Sequence, residues 1–450
     1  MSETAAELLA DHYASLQFGD IPDKHIQDAK VLVRDYLGVA LGGSLTDSAK
    51  ISARFAVETG GVAEARIIGN GGKVPAVHAA FANAIASHSI ELDDVDILAL
   101  FHFSPPVVSA ALAVAEKVGA TGKEFIAAVV AGCEMMARAS EATNFSLRDR
   151  GFHTTPTCGV FGAAIAAGML LKLDRDQIVS ALGMAGAQAS GLMEMYGPSM
   201  QKRFNPGPSA RNGVTAAVMA KMGFTGTATI FDGERGFCRA FSDGYDFSAL
   251  TRNLGTEYPI FFEYKAYSCA RPIHNAIDCA LDVRKQLTEP LSAVNKITMR
   301  RHSAWAHYHQ NKRPKTYHEA QVSLPYSVAV ALIDGAALFP QYQNSRLGDP
   351  EILRLSDLVD IIPDDTLPRG VSCLMIAETT GGATLTSQVD HPKGSIAHPM
   401  TEAEYKNKVH LLGDPVLGEA GVTTMIDTID AIESAASIAG LMDAACTVKG

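Results

Sequence analysis

Residues 158–171 read CGVFGAAIAAGMLL, a segment with no charged side chain on any face of a helix. A helix that is apolar all round is buried all round, so this segment predicts a helix in the middle of a bundle. Its glycine and alanine residues predict helices that pack closely against it. The apolar run is too short to span a bilayer, which indicates a protein core rather than a membrane segment.

Helix-start patterns lie on both sides of this segment. Capping boxes, in which Thr or Asp precedes Glu or Gln by three residues, begin at Thr4, Thr121 and Asp174. Apolar residues at helical spacing predict two further helices, over residues 23–43 and 209–222. Consecutive helices therefore fill roughly the first half of the chain.

The sequence changes in character near Tyr264. Runs rich in β-branched residues, with turn-rich flanks, predict strands. The predicted strands are residues 294–299, 371–377 and 383–389, and the predicted helices beside them are residues 272–286 and 322–333. A capping box at Thr401 then begins a return to helix.

The order of these elements predicts a mainly α fold in three parts. At 450 residues the chain is too long for one ordinary core. We expect a large helical domain over residues 1–262, an inserted smaller α+β lid domain over residues 263–397, and a C-terminal return of the helical domain over residues 398–450.

Charge and cysteine content exclude several classes of function. A formal net charge of −11 argues against nucleic acid and anionic membranes as partners. The seven cysteines form no C-x-x-C pair, so neither a disulfide framework nor an iron–sulfur cluster is indicated. The histidines show no metal-ligand spacing, and no nucleotide-binding glycine motif follows a strand. We expect no metal, no cofactor and, without a signal peptide, a cytoplasmic location.

Three carboxylates crowd the end of one predicted helix, in the segment SHSIELDD at residues 87–94. Glu91, Asp93 and Asp94 repel one another unless a cation or a catalytic group meets them. Taken alone, however, the segment predicts a helix end that lies in solvent.

Two histidines each precede a predicted helix. His102 lies between two phenylalanines, and His153 comes directly before the apolar helix. The positive end of a helix dipole favours the neutral imidazole that a general base needs. A structural role in packing is the alternative for each of them.

Cations lie at two further places. Lys202 and Arg203 precede a predicted helix, where they predict a receptor for a carboxylate or, alternatively, a solvated basic turn. Lys265 lies where the two predicted domains join, and ligand clefts favour such junctions.

Taken together, these segments resemble the MmgE/PrpD family, in order and over nearly the whole chain. The resemblance is carried by residues 83–94, 102–104, 110–116, 151–153, 188–192, 202–207, 223–226, 265–278 and 319–326. It implies a helical domain with an α+β lid, a homodimer, and a metal-free active site in the cleft between the domains. Members of the family dehydrate 2-methylcitrate, decarboxylate cis-aconitate or epimerise iminodisuccinate.

The resemblance also implies which side chains form the site. The catalytic residues expected from it are His102, His153, Lys202, Lys265 and Tyr326, and Glu91 is expected to bind substrate. We further expect Asp94, Arg203 and His274 to bind substrate. The two lysines would hold substrate carboxylates and stabilise developing negative charge. One histidine would remove the proton alpha to a carboxylate and the other would protonate the leaving hydroxyl, with Tyr326 assisting from the lid.

The chain departs from the family pattern at several of these positions. Glu91 stands where Asp is usual, Phe103 and Ser268 stand where Pro is usual, and Asn205 stands where His is usual. Ala270 stands where decarboxylase-type members carry a histidine, which argues against decarboxylation.

The sequence therefore predicts a metal-independent lyase of the hydro-lyase type, similar to 2-methylcitrate dehydratase. Its substrate would be a small di- or tricarboxylate. An epimerase, isomerase or decarboxylase using the same site is the alternative. A catalytically inactive binding or scaffold homologue is the alternative from another class.

Overall fold

The computed structural model describes residues 3–96, 101–195 and 198–446. Helices dominate it, which confirms the prediction of a mainly α fold. In chain order they are α1 (Ala5–Ser15), α2 (Asp23–Ser44), α3 (Asp47–Thr59), α4 (Ala76–His88), α5 (Ser104–Val118), α6 (Gly122–Glu141), α7 (Ser146–Asp149), α8 (Thr154–Leu170), α9 (Arg175–Gly186), α10 (Gln201–Phe204), α11 (Pro206–Lys221), α12 (Phe237–Phe241), α13 (Ser248–Thr251), α14 (His274–Gln286), α15 (Ser303–Ala306), α16 (Tyr317–Ala320), α17 (Leu324–Asp334), α18 (Pro350–Leu358), α19 (Glu402–Asp430) and α20 (Ala439–Cys446).

The strands form a small pair and a larger mixed sheet. They are β1 (Ala65–Arg66), β2 (Lys73–Val74), β3 (Val294–Arg301), β4 (Val359–Pro363), β5 (Cys373–Thr379) and β6 (Thr384–Val389). The four-stranded sheet has the order β4-β3-β5-β6, with β3 and β4 parallel and the other neighbours antiparallel. The sequence analysis did not predict β4. This strand is short and lies at the edge of the sheet, and Val359 is its one fully buried residue.

The apolar segment of residues 158–171 lies in α8, which packs against α5, α6, α9 and α11 at the centre of the first core. Small residues permit this contact. A Cβ atom on Gly162 of α8 would stand 2.5 Å from the carbonyl oxygen of Gly132 in α6. The two backbones can therefore approach this closely because neither residue has a side chain.

Buried apolar side chains divide mainly into two large cores. The first contains residues from the chain before residue 265 and after residue 399, and the second contains residues between 267 and 377. The second core joins α14, α17 and α18 to one face of the larger sheet. We propose that the domain boundaries expected from the sequence follow this division.

The last helices return to the first core, where α19 packs against α2 and bends at Gly418. Lys408 of α19 is buried, and its Nζ donates to Asp35 of α2 and to the carbonyl oxygen of Leu92. Among the residues described here, no helix has both the length and the apolar character needed to cross a bilayer.

Replacement of Gly162 by alanine tests the close contact of α6 and α8. Because the new methyl group would collide with the Gly132 carbonyl, we expect Gly162→Ala to lower the free energy of unfolding by about 1–3 kcal/mol. Gly440→Ala is the matched control, since its Cβ atom meets nothing within 4 Å. Urea unfolding of both variants measures the difference, and equal midpoints would contradict the close contact.

Candidate active site

The three crowded carboxylates lie in the loop that follows α4, and none of them reaches solvent. Glu91, Asp93 and Asp94 are all 0% exposed. The expectation of a solvated helix end is therefore wrong. The physical reason is that the second core covers the loop, because Ser268 and Gln321 both donate to the carbonyl oxygen of Ile90. Glu91 itself has a φ of 56°, a left-handed conformation that is uncommon outside glycine.

Three cations surround the carboxylate of Glu91. Its Oε1 accepts from Nζ of Lys202 and Nη1 of Arg203, both on α10. Its Oε2 accepts from Nζ of Lys265 at 3.0 Å. Burial alone would raise the pKa of Glu91, but these cations hold it well below its ordinary value. The carboxylate is therefore ionised, and it draws α10 and the segment around Lys265 to one point.

The two lysines of this group differ in their ease of deprotonation. Burial, opposed by Glu91, lowers the pKa of Lys202 to about 8. Burial acts in the same direction on Lys265, but Glu91 and Asp93 raise the pKa of that lysine above its ordinary value. Lys265 thus stays a fixed positive charge, whereas Lys202 can lose its proton near neutral pH.

The ring of His102 is held through its Nδ1 atom. This nitrogen lies 2.5 Å from the carbonyl oxygen of Asp94 and 3.2 Å from Oδ2 of Asp93. A carbonyl oxygen only accepts, so the Nδ1 atom carries the hydrogen. Burial lowers the pKa of His102 to about 3 in spite of Asp93, so the ring is neutral. Its Nε2 atom therefore presents a lone pair.

The ring of His153 has the opposite tautomer. Its Nδ1 atom lies 3.1 Å from Nδ2 of Asn205, which is also 3.1 Å from Sδ of Met195. A thioether sulfur is an acceptor, so it is the amide nitrogen of Asn205 that faces both atoms. His153 Nδ1 therefore accepts, and its hydrogen lies on Nε2. Burial lowers the pKa of His153 well below its ordinary value, which keeps the ring neutral.

The polar side-chain atoms of Asp94 and His274 form hydrogen bonds with other parts of the protein chain. The Asp94 carboxylate accepts from the backbone N–H groups of Phe103 and Ser104 at 2.8 and 3.1 Å. It thereby fixes the start of α5 next to His102. His274 Nδ1 accepts from Arg271, and its Nε2 lies 3.3 Å from the carbonyl oxygen of Cys269. These contacts position the protein chain, and the substrate-binding role expected from the sequence for both residues stays a prediction.

The structure does not bring Tyr326 to this cluster in any contact of the described residues. Tyr326 is fully buried in the second core, and its hydroxyl donates to the carbonyl oxygen of Gln341 at 2.8 Å. Its ring packs against Tyr342. The expected help in proton transfer from the lid therefore has no geometric support here, because the hydroxyl is already bonded elsewhere.

Gln321 is a site residue that reasoning from the sequence did not single out. Its Nε2 atom donates to the carbonyl oxygens of Ile90 and Ser268, both at 3.0 Å, and its Oε1 accepts from Arg203 at 2.9 Å. One buried amide thus connects the acidic loop, α10 and the segment after Lys265. The family resemblance of residues 319–326 indicated that this segment belongs to the site, but it did not indicate which contacts Gln321 makes.

One group within the described residues has the side chains of a metal site. Ligand atoms of His88, Asp93 and His102 lie within 4.8 Å of one another. However, both Nδ1 atoms are engaged in hydrogen bonds, and Nζ of Lys265 lies 3.7 Å from Oδ1 of Asp93. A divalent cation bound to this group would lie close to the positive charge of Lys265. The group therefore fits hydrogen-bonded acid–base chemistry better than metal binding.

Two family models together match most of this chain. The MmgE/PrpD N-terminal domain matches residues 7–250, and the MmgE/PrpD C-terminal domain matches residues 267–433. A cis-aconitate decarboxylase of Aspergillus terreus is 28% identical over 97% of this chain and 95% of its own length. A cis-aconitate decarboxylase of Homo sapiens is 25% identical over 96% of this chain and 92% of its own length.

Removal of the charge on Glu91 tests the role of this carboxylate as the centre of the cluster. Glu91→Gln would leave Lys202, Arg203 and Lys265 without their shared counter-ion, and breaking a buried ion pair from one side costs about 3–5 kcal/mol. We expect a large loss of stability in urea unfolding. Asp243→Asn, which removes an exposed partner of Arg150, should change little. Equal unfolding midpoints for the two variants would contradict the central role of Glu91.

Proposed function

The chain belongs to the MmgE/PrpD family, and we propose that it is a metal-independent lyase of the hydro-lyase type. Its substrate would be a small di- or tricarboxylate, as for 2-methylcitrate dehydratase. One observation carries the proposal above others. The cluster combines three cations with two neutral imidazoles of opposite tautomer, a set that supplies both the base and the positive charge that proton removal beside a carboxylate needs.

The cations around Glu91 supply the binding part of the reaction. Removal of a proton alpha to a carboxylate moves negative charge onto the carboxylate oxygens. Fixed positive groups stabilise that charge most when they are buried and already oriented. Arg203 and Lys265 meet this requirement, and the same carboxylate holds Lys202 beside them. We propose that a substrate carboxylate shares these donors with Glu91.

His102 supplies the base. Its Nε2 lone pair takes the proton, so that the carbon–hydrogen bond breaks and a nitrogen–hydrogen bond forms. The resulting imidazolium keeps its Nδ1 hydrogen between the backbone carbonyl oxygen of Asp94 and the carboxylate of Asp93, and Asp93 serves as the acidic partner of the histidine. The sequence left the choice of base between the two histidines open, and we propose His102.

His153 and Lys202 act on the oxygen atoms of the substrate. A neutral imidazole that lost its Nε2 hydrogen would become an imidazolate, so His153 is suited to donate a hydrogen bond rather than a proton. The pKa of Lys202, about 8, suits a general acid. We propose that Lys202 gives its proton to the leaving hydroxyl as the carbon–oxygen bond breaks, and that water leaves.

Decarboxylation is the second candidate, because the relatives named above are cis-aconitate decarboxylases. The same cations could stabilise the charge that remains when carbon dioxide leaves. Against it, Ala270 offers no proton donor at the position where decarboxylase-type members of the family carry a histidine. The departure at this position therefore favours elimination of water.

Assays in deuterated water with EDTA distinguish these reactions. The substrates are 2-methylcitrate, citrate, cis-aconitate and iminodisuccinate. We expect a new absorbing double bond from a hydroxy-acid, at a rate that the chelator does not change. Release of carbon dioxide, exchange of deuterium without loss of water, or no reaction would each contradict the proposal. Loss of turnover in EDTA that one metal restores would contradict its metal-free form.

A matched variant tests the base. His102→Asn keeps a donor in place of Nδ1 but has no counterpart of Nε2. We therefore expect kcat to fall by about 10²–10⁴-fold while the protein stays folded. Turnover within a few-fold of wild type would show that another group removes the proton.

We further propose that the chain forms a homodimer, as the family resemblance implies. Ile51, Phe55 and Phe204 are about half exposed, and the rings of Phe55 and Phe204 lie 5.7 and 5.9 Å from that of Phe81. A continuous apolar face of this kind is typical of a contact surface. Light scattering should give twice the chain mass of 47.6 kDa. A single-chain mass at micromolar concentration would contradict the dimer, and the cytoplasmic location stays a prediction.

A further inference from the structure

A third imidazole lies within the cluster and has no part in the reaction described so far. His88 is the last residue of α4 and is 0% exposed. Its Nδ1 atom lies 2.6 Å from Oδ2 of Asp93, the same oxygen that lies 3.2 Å from Nδ1 of His102. The two rings are 4.9 Å apart and meet edge to face. One carboxylate oxygen thus faces two imidazoles.

The direction of these hydrogen bonds follows from the charge of Asp93. Burial would raise the pKa of Asp93, but His102, His88 and Lys265 hold it far below its ordinary value. An ionised carboxylate only accepts, so His88 donates through Nδ1. The Nε2 atom of His88 has no hydrogen-bond partner among the described residues. The polar contact of His88 therefore runs through Nδ1 to Asp93.

Asp93 needs such a tether to serve His102. Its second oxygen, Oδ1, forms no hydrogen bond with the described residues and lies 3.7 Å from Nζ of Lys265. Without the bond from His88, the carboxylate would be free to turn toward that ammonium group. Oδ2 would then leave His102, and a charge that develops on His102 would lose its nearest counter-ion.

We propose that His88 is a positioning residue for His102, because its Nδ1 hydrogen holds the Asp93 carboxylate where it can orient and stabilise the His102 ring. This inference rests on the proposed function, in which His102 takes the substrate proton. His88 itself touches no reacting atom. Its hydrogen bond acts on His102 through Asp93, so it should alter the rate of proton removal more than the binding of substrate.

Two substitutions of similar size separate the two nitrogens of His88. His88→Asn keeps a donor at the position of Nδ1 and removes Nε2, whereas His88→Gln moves the amide toward the position of Nε2 and removes the donor to Asp93. We expect His88→Asn to keep kcat within about threefold of wild type. His88→Gln should lose kcat on the order of 10- to 100-fold with little change in KM, the size typical of a second-layer partner.

Two kinetic outcomes would overturn the proposal. If His88→Asn loses as much activity as His88→Gln while both stay folded, His88 acts through Nε2 and touches the reaction directly. If both variants keep the wild-type kcat, the bond to Asp93 does not matter for the rate.

Nuclear magnetic resonance of ¹⁵N-histidine-labelled wild-type protein tests the same geometry without substrate, and it applies even if a variant fails to fold. Near neutral pH we expect His88 and His102 both to carry hydrogen on Nδ1. Hydrogen on Nε2 of His88 would overturn the proposal. If the tautomers agree but wild type converts none of the carboxylates tested, the proposed function fails and the tether to Asp93 stands.

Discussion

The buried carboxylate of Glu91 is the constraint on which the site depends. Removal of a charge from water is costly, and a buried ion pair is tolerated only when its partners and hydrogen bonds are complete. Glu91 meets Lys202, Arg203 and Lys265, which come from two separate places in the chain. To satisfy these charges, the acidic loop, α10 and the segment at the start of the second core must come together. Gln321 completes the contact with hydrogen bonds to all three.

The chemistry follows from how neighbouring groups fix the histidines. A carbonyl oxygen places the hydrogen of His102 on Nδ1, and an amide nitrogen places that of His153 on Nε2. Two rings of one residue type thus acquire different capacities, a lone pair on one and a donor on the other. Asp94 contributes to the position of His102 indirectly, because its carboxylate fixes the neighbouring backbone at the start of α5. Burial keeps both rings neutral, so the positive charge of the site lies on the lysines and the arginine.

The fold was more predictable from the sequence than the site, because local patterns determine helices. The capping boxes at Thr4, Thr121 and Asp174 each begin a helix, and the apolar segment lies at the centre of the first core. The three acidic residues of the segment 91–94 led to the wrong prediction of a solvated helix end, because the cations that Glu91 meets lie 111 to 174 residues further along the chain. The resemblance supplied the segments of the site. It could not show that Tyr326 bonds elsewhere, or that His88 and Gln321 meet the cluster.

The central claim is that the cations around Glu91 receive a substrate carboxylate beside the lone pair of His102. A crystal structure of the His102→Asn variant with a bound substrate polycarboxylate tests it most directly. The account predicts one carboxylate within hydrogen-bond distance of Lys202, Arg203 or Lys265. It also predicts that the acidic carbon–hydrogen bond points at the position that Nε2 of His102 occupies in the wild type. A substrate bound away from these side chains, with all three cations still bonded to Glu91, would contradict it.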